Sequence, residues 1–142
     1  MKNRKRGFSL VELLIVLAVI AALIATITPV ALNAIRKSKA TQVAQNLKTL
    51  ASSIENKAYV DGGAKAIGVS TSTVDMTNLT SFVRDLNDDV YKAKYIYSGD
   101  GVYTVTITYD GGEVDEKLVI DMLQNATTST EGIVYEFSFA TY

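Results

Sequence analysis

From Leu13 to Ala25 every residue is apolar, and on to Ile35 only Thr26, Thr28, Pro29 and Asn33 interrupt the run. As a helix, this segment spans about 34 Å at 1.5 Å per residue, enough to cross a hydrocarbon layer roughly 30 Å thick. The first 35 positions are therefore unavailable to a water-soluble core. One carboxylate, Glu12, stands at the head of the run, and no cation follows it until Arg36. Placed near a bilayer centre, a bare carboxylate costs roughly 2.5–3.5 kcal/mol on insertion scales, and less near the interface. Something must neutralise it, and the best candidate partner is a charge created by processing the chain just before Phe8.

The residues around that acid resemble a known processing site. Lys5-Arg6-Gly7-Phe8-Ser9-Leu10-Val11-Glu12 is similar to the junction of type IV prepilins and pseudopilins. The resemblance covers the basic leader, the Gly-Phe junction, the carboxylate and the apolar helix, over residues 1 to about 58. It implies cleavage after Gly7 by a membrane-embedded prepilin peptidase and N-methylation of the new terminus at Phe8. It also implies that Glu12 guides subunits into a filament by pairing with a neighbour's N-terminal ammonium. Pro29 falls where many members carry a helix proline. The implied partners are the peptidase, identical or homologous subunits, an inner-membrane assembly platform and the lipid bilayer. The implied location is the inner (cytoplasmic) membrane for the single-pass precursor, then a surface or periplasmic filament.

Composition narrows what remains. At 142 residues the length suits one domain, and roughly 100 residues beyond the apolar run suffice for one small head. Cysteine is absent, so no disulfide staples that head, unlike many Gram-negative pilins; histidine is absent too, removing the commonest general base and metal ligand. Net charge is −1, but Lys2, Arg4, Lys5 and Arg6 sit in the leader, and the chain from Phe8 onward carries ten Lys/Arg against fifteen Asp/Glu. From Ala40 onward the balance is seven against fourteen, which leaves no clear nucleic-acid surface. Arg36, Lys37 and Lys39 follow the apolar run, so charge alone orients it only weakly against the four leader cations.

The organisation expected is a leader at 1–7, an assembly helix at 8–35, an amphipathic helix half at 36–59 and a globular head at 60–142. Pro29 lacks an N–H and its ring clashes with the carbonyl at position 25, so a kink or local break is expected, with Thr26 and Thr28 donating to freed carbonyls. Ala40, Val43, Ala44, Leu47, Leu50, Ala51, Ile54 and Ala58 recur at three- and four-residue steps, the stripe of a helix with one buried face. The simplest arrangement is one helix from Phe8 to about Tyr59, ended by Gly62-Gly63.

Residues 64–81 are Ser/Thr-rich and read as a loop, while Leu79, Phe82, Val83 and Leu86 suggest a short helix. Lys94 to Ser98 reads as a strand. Val102 to Tyr109 alternates strictly, with Tyr103, Val105, Ile107 and Tyr109 opposite Thr104, Thr106 and Thr108. Glu113 to Asn125 fits a helix, though Leu118-Val119-Ile120 suits a strand equally. Thr127 to Gly132 reads as a loop and Ile133 to Phe139 as a strand. The fold class is α+β: a long N-terminal helix, membrane-spanning then amphipathic, packed on a small antiparallel sheet.

No catalytic or metal constellation stands out. Asp85, Asp88 and Asp89 cluster, as do Asp110, Glu113, Asp115 and Glu116, but neither has EF-hand spacing. There is no nucleophile elbow and no Walker glycine loop, and no cofactor is implied. Asn78-Leu79-Thr80 and Asn125-Ala126-Thr127 have the glycosylation-type pattern, which a Thr-rich chain produces by chance. The abundant tyrosines suit sheet packing. The reading that follows is a structural filament subunit of a type IV pilus (fimbrium) or type II secretion pseudopilus, not an enzyme. The alternative is a single-pass, membrane-anchored binding domain that keeps its leader and never polymerises.

Overall fold

The structure, a computed structural model, describes residues 7–60, 72–73, 87, 89–98 and 100–141. The Met1–Arg6 part of the leader, the Gly62-Gly63 stop, the predicted helix over 79–86, Asn78, Asp85, Asp88 and most of the Ser/Thr-rich loop lie outside these residues. The chain divides into two compact units, Met1–Arg36 and Lys37–Tyr142.

Helix α1 spans Leu10–Val60 and carries Pro29 inside it. In the first unit it is exposed at every position, Leu13, Leu17, Ile24 and Ile35 among them. By length and composition α1 is the one helix among the described residues able to cross a membrane. Such a surface has no aqueous use, because each buried side chain of this kind is worth ~1.5–3 kcal/mol to remove from water.

In the second unit the same helix changes character. Ala40, Val43, Ala44, Leu47, Leu50, Ala51, Ile54 and Ala58 are buried, the stripe expected from the sequence. They share one core with Tyr91, Ala93, Tyr95, Tyr103, Val105, Ile107, Val119, Leu123, Ile133 and Phe139. Ser53 is the buried polar residue on this face, and its hydroxyl donates to the Thr49 carbonyl at 2.8 Å. That satisfies the hydroxyl locally, without a partner from the sheet.

The sheet is antiparallel with order β1-β2-β3-β5-β4. Its strands are β1 (Ser72–Thr73), β2 (Tyr91–Tyr97), β3 (Val102–Tyr109), β4 (Ala126–Ser129) and β5 (Gly132–Ala140). Central strand β3 pairs with β5 over Val102–Tyr109 and with β2 over Tyr103–Tyr109: Val105 faces Tyr95 on β2 and Phe137 on β5. Tyr103, Val105 and Ile107 point into the core and Thr104, Thr106 and Thr108 away from it, as the alternation predicts. Strand β2 begins at Tyr91, three residues before the expected start, because Tyr91, Ala93 and Tyr95 already alternate inward.

Two elements differ from the sequence reading. Helix α2 covers only Glu116–Met122, because Leu123 turns to extended backbone (φ −127°, ψ 110°). The segment read as a loop at 127–132 is instead strand β4 and a tight hairpin, with Ala126 facing Tyr135 and Ser129 facing Gly132. Only Ala126 of β4 is buried, so its threonines gave no apolar alternation. Polar edge strands of this kind protect a sheet from further pairing.

Gly132, at the hairpin, has φ +109°, and a Cβ there would lie 2.1 Å from the Tyr109 carbonyl oxygen. Close approach of β3 and β5 therefore requires glycine at this position. Aromatic contacts complete the sheet's inner face, with Tyr103 and Phe139 stacked at 5.4 Å and Tyr91 against Tyr109 at 4.9 Å.

Candidate functional site at the start of helix α1

Gly7, Phe8 and Ser9 precede the helix, which begins at Leu10 rather than at Phe8. The reason is a reciprocal cap. The Glu12 backbone N–H donates to the Ser9 hydroxyl at 3.2 Å, and the Ser9 backbone N–H donates to the Glu12 carboxylate at 3.2 Å. A helix start leaves its first four N–H groups without internal acceptors, and a Ser-x-x-Glu box satisfies two such donors at once. Phe8 then occupies the position before the cap, 85% exposed, with its peptide link to Gly7 outside the helix.

This geometry changes the electrostatics argued from sequence. Glu12 is not bare in the isolated chain. Its carboxylate accepts a backbone N–H and lies in the first turn of α1, where the helix dipole presents roughly half a positive charge. The box is legible as Ser9-x-x-Glu12 directly before an apolar run, although charge alone does not point to it.

Gly7 has open space where a Cβ would stand, and its φ is not left-handed. Nothing in the described fold requires glycine there.

At Pro29 the helix continues without a break. The Thr26 hydroxyl donates to the Leu23 carbonyl at 2.9 Å and the Thr28 hydroxyl to the Ile24 carbonyl at 2.7 Å. Neither reaches the carbonyl at Ala25 that the proline frees, so these threonines bond the turn before it. This is ordinary back-bonding to positions three and four residues earlier.

The head offers polar surface but no assembled chemistry. Among the described residues no group of three or more His, Cys, Asp or Glu could hold a metal ion. Lys39 and Glu113 form an exposed ion pair at 3.5 Å, beside an open cleft of about 280 Å³ that Gln42, Asn46, Tyr91 and Tyr109 also line. Asn46 donates its amide N–H to the Tyr91 hydroxyl at 3.1 Å. Burial raises the Tyr91 phenol above its ordinary value of 10.0, with Asn46 pulling the other way and Tyr109 adding slightly. Tyr109 is raised by burial first and by the Glu113 charge second. These groups tie α1 to the ends of β2 and β3, and nothing in them resembles a nucleophile with its base.

Comparison with known families matches residues 2–28 to the prokaryotic N-terminal methylation motif. The chain thus carries the leader signature of type IV pilins and pseudopilins, ahead of an α+β body built from a long helix and a small antiparallel sheet. Comparison with curated proteins and with solved structures finds no match.

Proposed function

We propose that this chain is the structural subunit of a type IV pilus or pseudopilus filament. The observation that carries the reading is the methylation motif over residues 2–28, which runs into a helix whose apolar first half, Leu10 to Ile35, is exposed at every position. The motif points to a pilin-like structural protein rather than an enzyme. A prepilin peptidase hydrolyses the Gly7–Phe8 peptide: water is consumed, a carboxylate remains on Gly7, and the freed Phe8 amine, in its neutral form, takes a methyl group from an electrophilic methyl donor, whose leaving group departs, and is protonated again as a secondary ammonium. Glycine at position 7, which the described fold does not require, supports a requirement imposed from outside, by the enzyme that reads the junction.

Before assembly the bilayer covers the apolar half of α1; in the filament, the same half of neighbouring copies replaces lipid. That exchange brings little net hydrophobic gain, since lipid tails are as apolar as leucine, so polar contacts and close packing decide it. Glu12 supplies the polar contact by pairing with the Phe8 ammonium of a neighbour. Pro29 is the proposed point at which the helix bends to fit its neighbours.

The test is Glu12→Ala. Assembly should be blocked or badly impaired while membrane insertion is intact, because removing one partner of a buried pair costs about 3–5 kcal/mol. Filaments at normal yield from this variant would refute the mechanism.

A further inference from the structure

Lys39 follows Ile35, the last residue of the apolar run, by four residues, a reach of at most about 14 Å. The headgroup layer on each side of a hydrocarbon core is roughly 5–8 Å deep. With the run in a bilayer, Lys39 stands at or just above that layer. It also stands on the rim of the open cleft of about 280 Å³. The rim carries two opposite charges: the Lys39 ammonium donates to the Glu113 carboxylate at 3.5 Å, with the side chains 48% and 80% exposed. A pair so long and so well hydrated contributes little and opens readily. Between the charges lie Gln42 and Asn46 of α1, with Tyr91 and Tyr109 at the ends of β2 and β3. Asn46 donates one amide N–H to the Tyr91 hydroxyl and carries a second, and Gln42 adds an exposed amide. The sequence extends the same polarity. Arg36, Lys37 and Lys39 stand together on α1, whereas Asp110, Glu113 and Asp115 stand together between β3 and α2. A purely anionic ligand would meet the acids, and a purely cationic one the lysines.

We infer that this cleft binds a zwitterion, the phosphoethanolamine headgroup of a bilayer lipid, with its phosphate at Lys39 and the neighbouring amides and its primary ammonium at Glu113. The ligand parts the two side chains and satisfies both, since each exchanges a long contact for a charge-assisted hydrogen bond. The Glu113 carboxylate accepts N–H groups that a choline headgroup lacks, so a primary amine is selected over a quaternary one. Tyr109, half-buried at the same cleft, adds the amphipathic ring common at membrane–water interfaces. The bound lipid tethers the head of the waiting chain to the bilayer surface. This inference rests on insertion of the apolar run and holds whether or not the chain polymerises.

The test uses the full chain in detergent micelles with equal amounts of dioleoyl phosphatidylethanolamine, phosphatidylcholine and phosphatidylglycerol, and native mass spectrometry counts the lipid retained. Phosphatidylethanolamine should be retained about fivefold or more over each of the others, the scale of one screened charge contact. Lys39→Gln and Glu113→Gln should each abolish the preference. Lys117→Gln, exposed and outside the cleft, should keep it. Both cleft charges are exposed, so these variants should fold, which the dichroism of the head checks. Equal retention of ethanolamine and choline lipids would overturn the inference. So would a preference for phosphatidylglycerol, which would reduce the site to a basic surface near the bilayer. Soluble phosphoethanolamine at the lipid's concentration should not displace it, because the acyl chains keep the lipid local; displacement would overturn the bilayer source in favour of a soluble zwitterion. Loss of the lipid preference with filaments still formed would strike this inference alone and leave the filament reading standing.

Discussion

The two halves of helix α1 answer to different surroundings, although one helix runs through both. From Leu10 to Ile35 its side chains are apolar almost all round and exposed; from Ala40 to Ala58 one narrow stripe is buried and the opposite positions are polar. Gln42, Gln45, Lys48, Thr49, Ser52 and Asn56 occupy that opposite face, and all are exposed. An apolar surface all round needs lipid or other copies of itself, whereas a stripe needs only one sheet. The contrast between the halves separates what holds the head together from what would hold a filament together.

The sharpest way to break this contrast is a pair of leucines. Leu47 is fully buried in the head core and Leu17 is 53% exposed in the first unit. Leu47→Ala should lower the stability of the head by about 2–5 kcal/mol, while Leu17→Ala leaves it unchanged. Denaturant unfolding of the micelle-bound chain, followed by tyrosine near-UV dichroism, measures both. A head equally weakened by Leu17→Ala would erase the distinction.

A smaller effect is expected at Gly132. Its φ of +109° and the 2.1 Å approach of a Cβ to the Tyr109 carbonyl oxygen predict a loss of about 1–3 kcal/mol for Gly132→Ala. The same unfolding experiment checks it, and an unchanged midpoint would mean that the hairpin shifts at no cost.

The division between the halves was legible because both rest on periodicity. The apolar run gave one half, three- and four-residue spacing the other, and period-two alternation gave β3 and β5. Strand β4 was hidden because Thr127, Thr128 and Ser129 are all exposed and only Ala126 faces the core. A strand at a sheet edge has backbone pairing but little apolar pattern to announce it. Helix α2 reads too long because Leu123 continues the apolar pattern of Leu118, Val119 and Met122 after the backbone has become extended. At the site, Gly7, Phe8, Glu12 and Pro29 were singled out. Ser9 does not stand out by charge, because a hydroxyl carries none, although its spacing to Glu12 is that of a capping box.

The smallest expected effect is a response to pH confined to the head. Burial raises the Tyr91, Tyr103 and Tyr109 phenols above 10.0. The unfolded chain therefore gives up these protons first as pH rises, so head stability holds below about pH 10 and falls above it. Alkaline titration of the head's dichroism should show that fall, while the helical signal of the apolar half, which has no tyrosine, stays level. Loss of head structure well below pH 10 would point to some other group.

The identity of the N-terminus in assembled material tests the proposed role most directly. Mass spectrometry of filaments sheared from cells should find a chain that begins with N-methyl-phenylalanine at Phe8. Filaments built from chains that still begin at Met1 would contradict it, because the amine that answers Glu12 would then never form.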